Sequence, residues 1–154
     1  MKTRTVLLTI LMCLVAGVWC LAEDAHMGTW KLNESKSKLA AGGPKNHTVV
    51  YEAAGDKIKV IVDGTNADGS PAHNEWTGMF DGKDYPLTGD PSADMRSYKK
   101  VNDHTLEIAN KKDGKVTTSG KIVVSADGKS RTVTTTGTDA KGKKVKNVGV
   151  YDKQ

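Results

Sequence analysis

The stretch KVTTSGKIVVSADGKSRTVTTTGT, Lys115 to Thr138, decides the fold of this chain. Two runs of valine, isoleucine and threonine flank Ala126-Asp127-Gly128. β-Branched side chains suit a pleated, half-buried surface. Asp-Gly supplies the positive φ angles of a tight hairpin, because glycine has no Cβ to clash and aspartate tolerates the left-handed region. The stretch therefore reads as strand, turn, strand. Asp-Gly occurs again at 63–64, 68–69, 81–82 and 113–114, and Gly55-Asp56, Asn102-Asp103 and Lys141-Gly142-Lys143 mark further reversals.

Between the turns the apolar residues alternate. Ile58, Val60 and Val62 share a face opposite Lys57, Lys59 and Ile61; Trp76, Gly78 and Phe80 oppose Glu75, Thr77 and Met79; Leu106 and Ile108 oppose Thr105 and Glu107. No run beyond residue 22 carries a helical period over ten or more residues, so the spacing predicts eight to ten short antiparallel strands and no helix longer than about two turns. Reversals are expected at Asp63-Gly64 or Asp68-Gly69, Asp81-Gly82, Asp113-Gly114 and Asp127-Gly128. A meander this long must curl on itself or split into two sheets to bury one face. The expected fold is all-β, an antiparallel up-and-down β-barrel. A β-sandwich is the alternative, and short connections leave it little room for Greek-key crossovers.

The chain opens differently. Lys2 and Arg4 precede an apolar run from Val6 to Val18, and Cys20-Leu21-Ala22 places small residues before Glu23-Asp24. This pattern predicts a signal peptide over 1–22, cleaved after Ala22, and a periplasmic or secreted protein with no membrane span after cleavage. A retained anchor over Val6 to Ala22, at the short end of the bilayer-spanning range, is one alternative, and lipidation at Cys20 is a second, with Trp19 beside it bulkier than lipidation signals prefer. Residues 23–154 then form a single domain with no cysteine, since Cys13 and Cys20 leave with the signal. Disulfides and thiolate chemistry are excluded from it. The signal takes two of the 23 basic residues and none of the 18 acidic ones, leaving 21 against 18, or +3, too slight a charge to indicate a nucleic-acid partner.

Candidate chemistry is sparse. His47, His73 and His104 lie far apart without metal-ligand spacing, and His26 sits near the expected new terminus, so no metal site and no cofactor are assigned. His73 and Glu75 share a strand face opposite Trp76, which points them to water. DGTNADGSP, from Asp63, misses the calcium-loop pattern by one residue, and TGDPSAD, with Asp90 and Asp94, reads as a turn in preference to an ion site. Lys141 to Lys146, KGKKVK, is the most basic stretch and has neither arginine nor aromatic, which favours a solvated hairpin over nucleic-acid binding. Two segments echo each other: GTNADGSPAHN at 64–74 and GTDAKGKKVKN at 137–147 match at Gly, Thr, Ala, Gly and Asn. Equivalent hairpins would produce this, and so would turn residues converging independently.

GTWKL at Gly28–Leu32 resembles the first strand of the lipocalin and fatty-acid-binding protein superfamily, in which the tryptophan plugs the closed end of the barrel. VGVYDKQ at the C-terminus resembles the closing strand of fatty-acid-binding proteins. GTWKLNESKSK, FDGKDYPLTGDPSAD and NKKDGKV together resemble small secreted bacterial lipocalin-like proteins with no established activity. The resemblance implies a lipocalin-like barrel over 23–154, with Trp30 as a structural plug near the strand carrying Val148 to Tyr151. It also has limits. Gly149 stands where fatty-acid-binding proteins carry their carboxylate-binding arginine, the segment Glu34 to Lys45 is too short for a two-helix lid, and only Arg96 and Arg131 could supply the arginine that lipocalins stack on their tryptophan.

Three functions follow. The first is an exported binder of a small apolar or amphipathic ligand, with Trp76, Phe80, Tyr51, Tyr98 and Arg96 as candidate ligand-binding residues and Trp76 and Tyr98 placed away from the Trp30 end. The second is a filled barrel serving as an envelope or surface interaction module, in which the same aromatics are core. The third, an enzyme, has no supporting constellation, so no catalytic residue is assigned. Oligomeric state is left open.

Overall fold

The structure, a computed structural model, describes residues 23–139 and 141–154. The expected signal peptide over 1–22 lies outside them. Ten strands follow one another: β1 Gly28–Leu32, β2 Lys45–Ala54, β3 Lys57–Thr65, β4 Pro71–Gly78, β5 Tyr85–Thr88, β6 Met95–Asn102, β7 Thr105–Lys112, β8 Lys115–Val124, β9 Ser130–Thr138 and β10 Lys144–Lys153. Each pairs antiparallel with its sequence neighbours, and β1 pairs with β10 to close the barrel. Closure leaves no sheet edge to template aggregation. Among the described residues the helical content is one 3-10 turn, Glu34–Lys36, capped by the Asn33 side chain, and no helix is long and apolar enough to cross a membrane.

The hairpins form where the turn chemistry places them. Asp113 and Gly114 take φ of +49° and +76° between β7 and β8, the two successive left-handed residues of a type I′ hairpin. The β3–β4 reversal falls at Asp68-Gly69, with Asp63-Gly64 inside β3. The internal echo is structural. The turns at 66–70 and 139–143 carry the same hydrogen bonds, Asn66 N to Ser70 O and Gly69 N to Asn66 O in one, Asp139 N to Lys143 O and Gly142 N to Asp139 O in the other. Both hairpins then zip in the same register, Gly64 opposite Ala72 and Gly137 opposite Val145.

The up-and-down path gives the barrel two different ends. At one end lie the turn at Gly55-Asp56, the β6–β7 and β8–β9 turns and both the N-terminal segment 23–27 and the C-terminus. At the other lie the β1–β2 loop and the β3–β4, β5–β6, β7–β8 and β9–β10 connections. The first end is closed. Trp30 and His26 have no solvent exposure there, Trp30 Nε1 donates to the His26 carbonyl at 2.9 Å, and Lys100 on β6 holds Asp24 at 2.8 Å. The core runs inward from this plug through Tyr51, Val60, Trp76, Tyr98, Leu106, Ile122, Val124 and Tyr151, all buried. Gly149 is part of that packing. A Cβ built on it would approach Tyr151 Cε2 to 2.9 Å, so Gly149→Ala is expected to cost about 1–3 kcal/mol by overpacking, measurable by urea denaturation.

Candidate functional site

The inward-facing positions divide into a buried half and a half-buried one. Wall positions follow from register: Leu106, Ile108 and Asn110 on β7 face Ile122, Gly120 and Thr118 on β8, which face Val133, Thr135 and Gly137 on β9, which face Gly149, Asn147 and Val145 on β10. Leu106, Ile122 and Gly149, toward the closed end, are buried. Ile108, Asn110, Thr118, Val133, Thr135, Asn147 and Val145 are half-buried. Burial of the inward-facing positions therefore falls off toward the hairpin end, where a ligand entering the barrel would meet Asn110, Thr118, Thr135, Asn147 and Val145.

Trp76, Phe80, Tyr51 and Tyr98 come together, as one aromatic cluster. Ring centroids are 4.8 Å apart for Trp76 and Tyr98, 5.7 Å for Phe80 and Tyr98, 6.1 Å for Tyr51 and Tyr98 and 6.4 Å for Tyr51 and Phe80, mostly edge to face. Such pairs add about 0.5–1.5 kcal/mol each beyond area burial. The cluster is continuous with Trp30 through Arg131, whose guanidinium carbon lies 4.9 Å from the Trp30 and Tyr51 rings and 5.0 Å from Tyr151. Trp76 and Tyr98 therefore belong to the Trp30 half, contrary to the sequence expectation. β4 ends at Gly78, two residues past Trp76, and the rings are long enough to meet across the lumen. Burial pushes the Tyr98 phenol up, as it does the Tyr151 phenol.

Arg131, on β9, is thus the arginine stacked on the plug tryptophan. Arg96 has another setting. It is 5% exposed on β6, its Nε donates to Asn110 Oδ1 at 2.7 Å, its Nη1 reaches Asn74 Oδ1 at 3.4 Å, and its carbonyl accepts from Trp76 Nε1 at 2.8 Å. Among the described residues no carboxylate pairs with either arginine. Two amide oxygens orient the Arg96 cation without neutralising it, and one of them, on Asn110, belongs to the half-buried half. Asn74 and Asn147 occupy equivalent positions of the two echoing hairpins, and Asn147 Oδ1 accepts from Ala40 N at 2.7 Å, tying the β1–β2 loop to the mouth.

The other candidates are accounted for locally. His73 and Glu75 sit on the outer wall, where His73 Nδ1 meets Asp63 at 2.6 Å and Nε2 meets Glu75 at 3.1 Å; the Asp63 carboxylate in particular pulls the imidazole pKa up. Asp90 Oδ1 accepts from the backbone N and hydroxyl of Ser92, and Asp94 Oδ2 accepts from Asp113 N, so both serve turns. No group of three or more histidine and acidic side chains is arranged to hold a metal among the described residues. A concavity of about 430 Å3 lies on the outer wall over β6–β8, floored by Ser97, Ala109 and Ser119 and flanked by Lys99, Glu107 and Lys121. Gly82, Ile108 and Gly120 complete its lining.

His26, Asn74, Asn110 and Asn147 were not singled out from the sequence as site residues. The echo between the two hairpins was the available signal for Asn74 and Asn147. Nothing local marks His26, whose burial depends on the N-terminal segment folding back under the barrel.

The strands together define a closed ten-stranded up-and-down β-barrel, plugged at one end by Trp30 and His26. No family model and no curated protein sequence matches the chain. Among solved structures it is similar to EF1p2_mFAP2b bound to DFHBI, at 12% identity over 84% of this chain and 94% of that one, with a TM-score of 0.50. It is also similar to mFAP1, a redesigned β-barrel bound to DFHBI, at 16% identity over 84% and 95%, with a TM-score of 0.47. At such identities the likeness is one of fold.

Proposed function

We propose that this chain is an exported, lipocalin-like barrel that takes a small amphipathic ligand into the hairpin half of its lumen, with the ligand's acidic or hydrogen-bond-accepting group at Arg96. The observation that carries the reading is the buried Arg96 guanidinium, oriented by Asn110 and Asn74 and without an ion partner among the described residues. A buried cation is costly unless something compensates its charge, and an incoming anion would do so. The mixed wall of Ile108, Val133, Val145, Thr118, Thr135 and Asn147 suits the remainder of such a ligand, apolar surface with a few orienting polar groups. The EF1p2_mFAP2b barrel holding DFHBI supports reading this architecture as able to house a small molecule. The aromatic cluster fills the closed half, so Trp76, Phe80, Tyr51 and Tyr98 are assigned as floor to the site in this reading.

Titration with 1-anilinonaphthalene-8-sulfonate, which carries an apolar body and one anionic group, tests this. Saturable one-to-one fluorescence enhancement is expected, reduced about tenfold or more in affinity by Arg96→Gln while near-ultraviolet circular dichroism stays native; losing a charge-assisted hydrogen bond of about 1.5–3 kcal/mol sets that scale. Equal binding by the folded Arg96→Gln protein overturns the assignment. Export is proposed on the signal pattern of residues 1–22, and an intact mass beginning at Glu23 in periplasmic or secreted material checks it.

A further inference from the structure

We propose that the two hairpins β7–β8 and β9–β10 form a docking surface for an anionic lipid bilayer, placing the hairpin end of the barrel against the membrane. In sequence the basic run 141–146 reads as a solvated turn. The fold brings a second basic hairpin beside it: β8 pairs with β9, Thr118 opposite Gly137, so Lys112 and Lys115 rise next to Lys141, Lys143, Lys144 and Lys146. All six are exposed, and none makes an ion pair among the described residues. The acidic residues of the hairpin tips, 112–115 and 139–146, are Asp113 and Asp139; Asp139 Oδ1 is already engaged by the backbone N–H groups of Lys141 and Lys143, and Asp94 Oδ2 accepts from Asp113 N beside them.

The charge is concentrated here. Six lysines against two aspartates give the hairpin tips, 112–115 and 139–146, +4, whereas residues 23–154 as a whole carry +3, so the remainder of those residues carries −1. The chemistry of the patch selects the partner. It holds no arginine fork for phosphate geometry and no aromatic on which a base could stack, which disfavours nucleic acid. Lysines are hydrated point charges suited to a diffuse anionic surface, and clusters of four to eight act in this way on acidic headgroups. Val116, 58% exposed near the tip of the β7–β8 hairpin, adds an apolar side chain among them, as suits the boundary between headgroups and acyl chains.

Co-sedimentation of the protein with phosphatidylcholine vesicles, with and without phosphatidylglycerol, tests the proposal. Binding is expected to phosphatidylglycerol-containing vesicles and not to pure phosphatidylcholine, and to weaken with salt. Triple reversal Lys141→Glu, Lys143→Glu and Lys144→Glu is expected to reduce partitioning roughly a hundredfold, from about fivefold per lysine. The control Lys57→Glu, Lys83→Glu and Lys129→Glu changes net charge equally on connections at the closed end and is expected to lose far less. Equal losses in the two variants, no dependence on phosphatidylglycerol, or patch-dependent retention on duplex DNA without vesicle binding would each overturn it. Sulfonate-probe binding in the lumen is read separately in solution, so either result leaves the Arg96 assignment to its own test.

Discussion

Replacing Trp30 by alanine is expected to lower the unfolding free energy by about 3–5 kcal/mol, a large share of the roughly 5–15 kcal/mol typical of a domain. Trp30 has no solvent exposure, lies beneath the Arg131 guanidinium at 4.9 Å and bonds the His26 carbonyl through its indole nitrogen. Truncation removes a large buried ring from a plug that β1, β2 and β10 cannot collapse around, because all three are fixed in a closed ladder. Trp30→Phe keeps most of the ring but strands the buried His26 carbonyl, with an expected cost of about 1–3 kcal/mol. Chemical denaturation with fluorescence and circular dichroism measures both. A Trp30→Ala protein as stable as the parent would place the tryptophan outside the structural core.

Acid is expected to destabilise the closed end by about 2–3 kcal/mol between pH 6.5 and pH 4, with His26 as the titrating group. Its imidazole is fully buried, neither ring nitrogen finds a hydrogen-bond partner, and its pKa is pushed down to about 4, first by desolvation and then by the Arg131, Lys100 and His104 charges facing it, against the attraction of Asp24. The sign follows from proton counts. Between the folded and unfolded values the unfolded chain binds the extra proton, so stability rises with pH through this window and is lost as pH falls. Asp24, held low by Lys100 and the His26 backbone N–H despite its burial, loses its contribution at still lower pH. His73 works in the opposite sense, but it is exposed on the outer wall, where solvent screens its ion pairs. His26→Leu is expected to flatten the pH 4–6.5 limb and to be at least as stable as the parent at pH 7, since it removes two unpartnered polar atoms. Urea midpoints across that range decide it; an unchanged acid limb in His26→Leu would shift the effect to other groups.

The features legible in the sequence are those with local causes. Asp113-Gly114 and Asp127-Gly128 set hairpins through their own backbone preferences, and period-two alternation at Ile58, Val60 and Val62 fixes which face is core. From enough such hairpins, closure follows by the need to bury one side. Trp30 lies on β1, which pairs with β10, where Leu32 faces Tyr151. Depth along the barrel was not legible. Alternation tells whether Trp76 and Tyr98 point inward, but their distance from an end depends on register across several strands. That register includes irregularities such as the one between Asn110 and Lys111. The roles of the two arginines were equally hidden, because a cation–π stack for Arg131 and an amide cradle for Arg96 come from residues on other strands. His26 needed the whole closed end to be in place before its burial had a cause.

The proposed ligand would lie inside the barrel, between Arg96 and the β7–β10 wall. Backbone and side-chain NMR of the labelled protein, titrated with 1-anilinonaphthalene-8-sulfonate, tests it most directly. Saturable shifts are expected of the Arg96 Nε–H, the Asn110 and Asn147 side-chain amides and the Val133 and Val145 methyl groups. Shifts confined to Ser97, Ala109 and Ser119 on the outer wall, with the lumen signals unmoved, would contradict it.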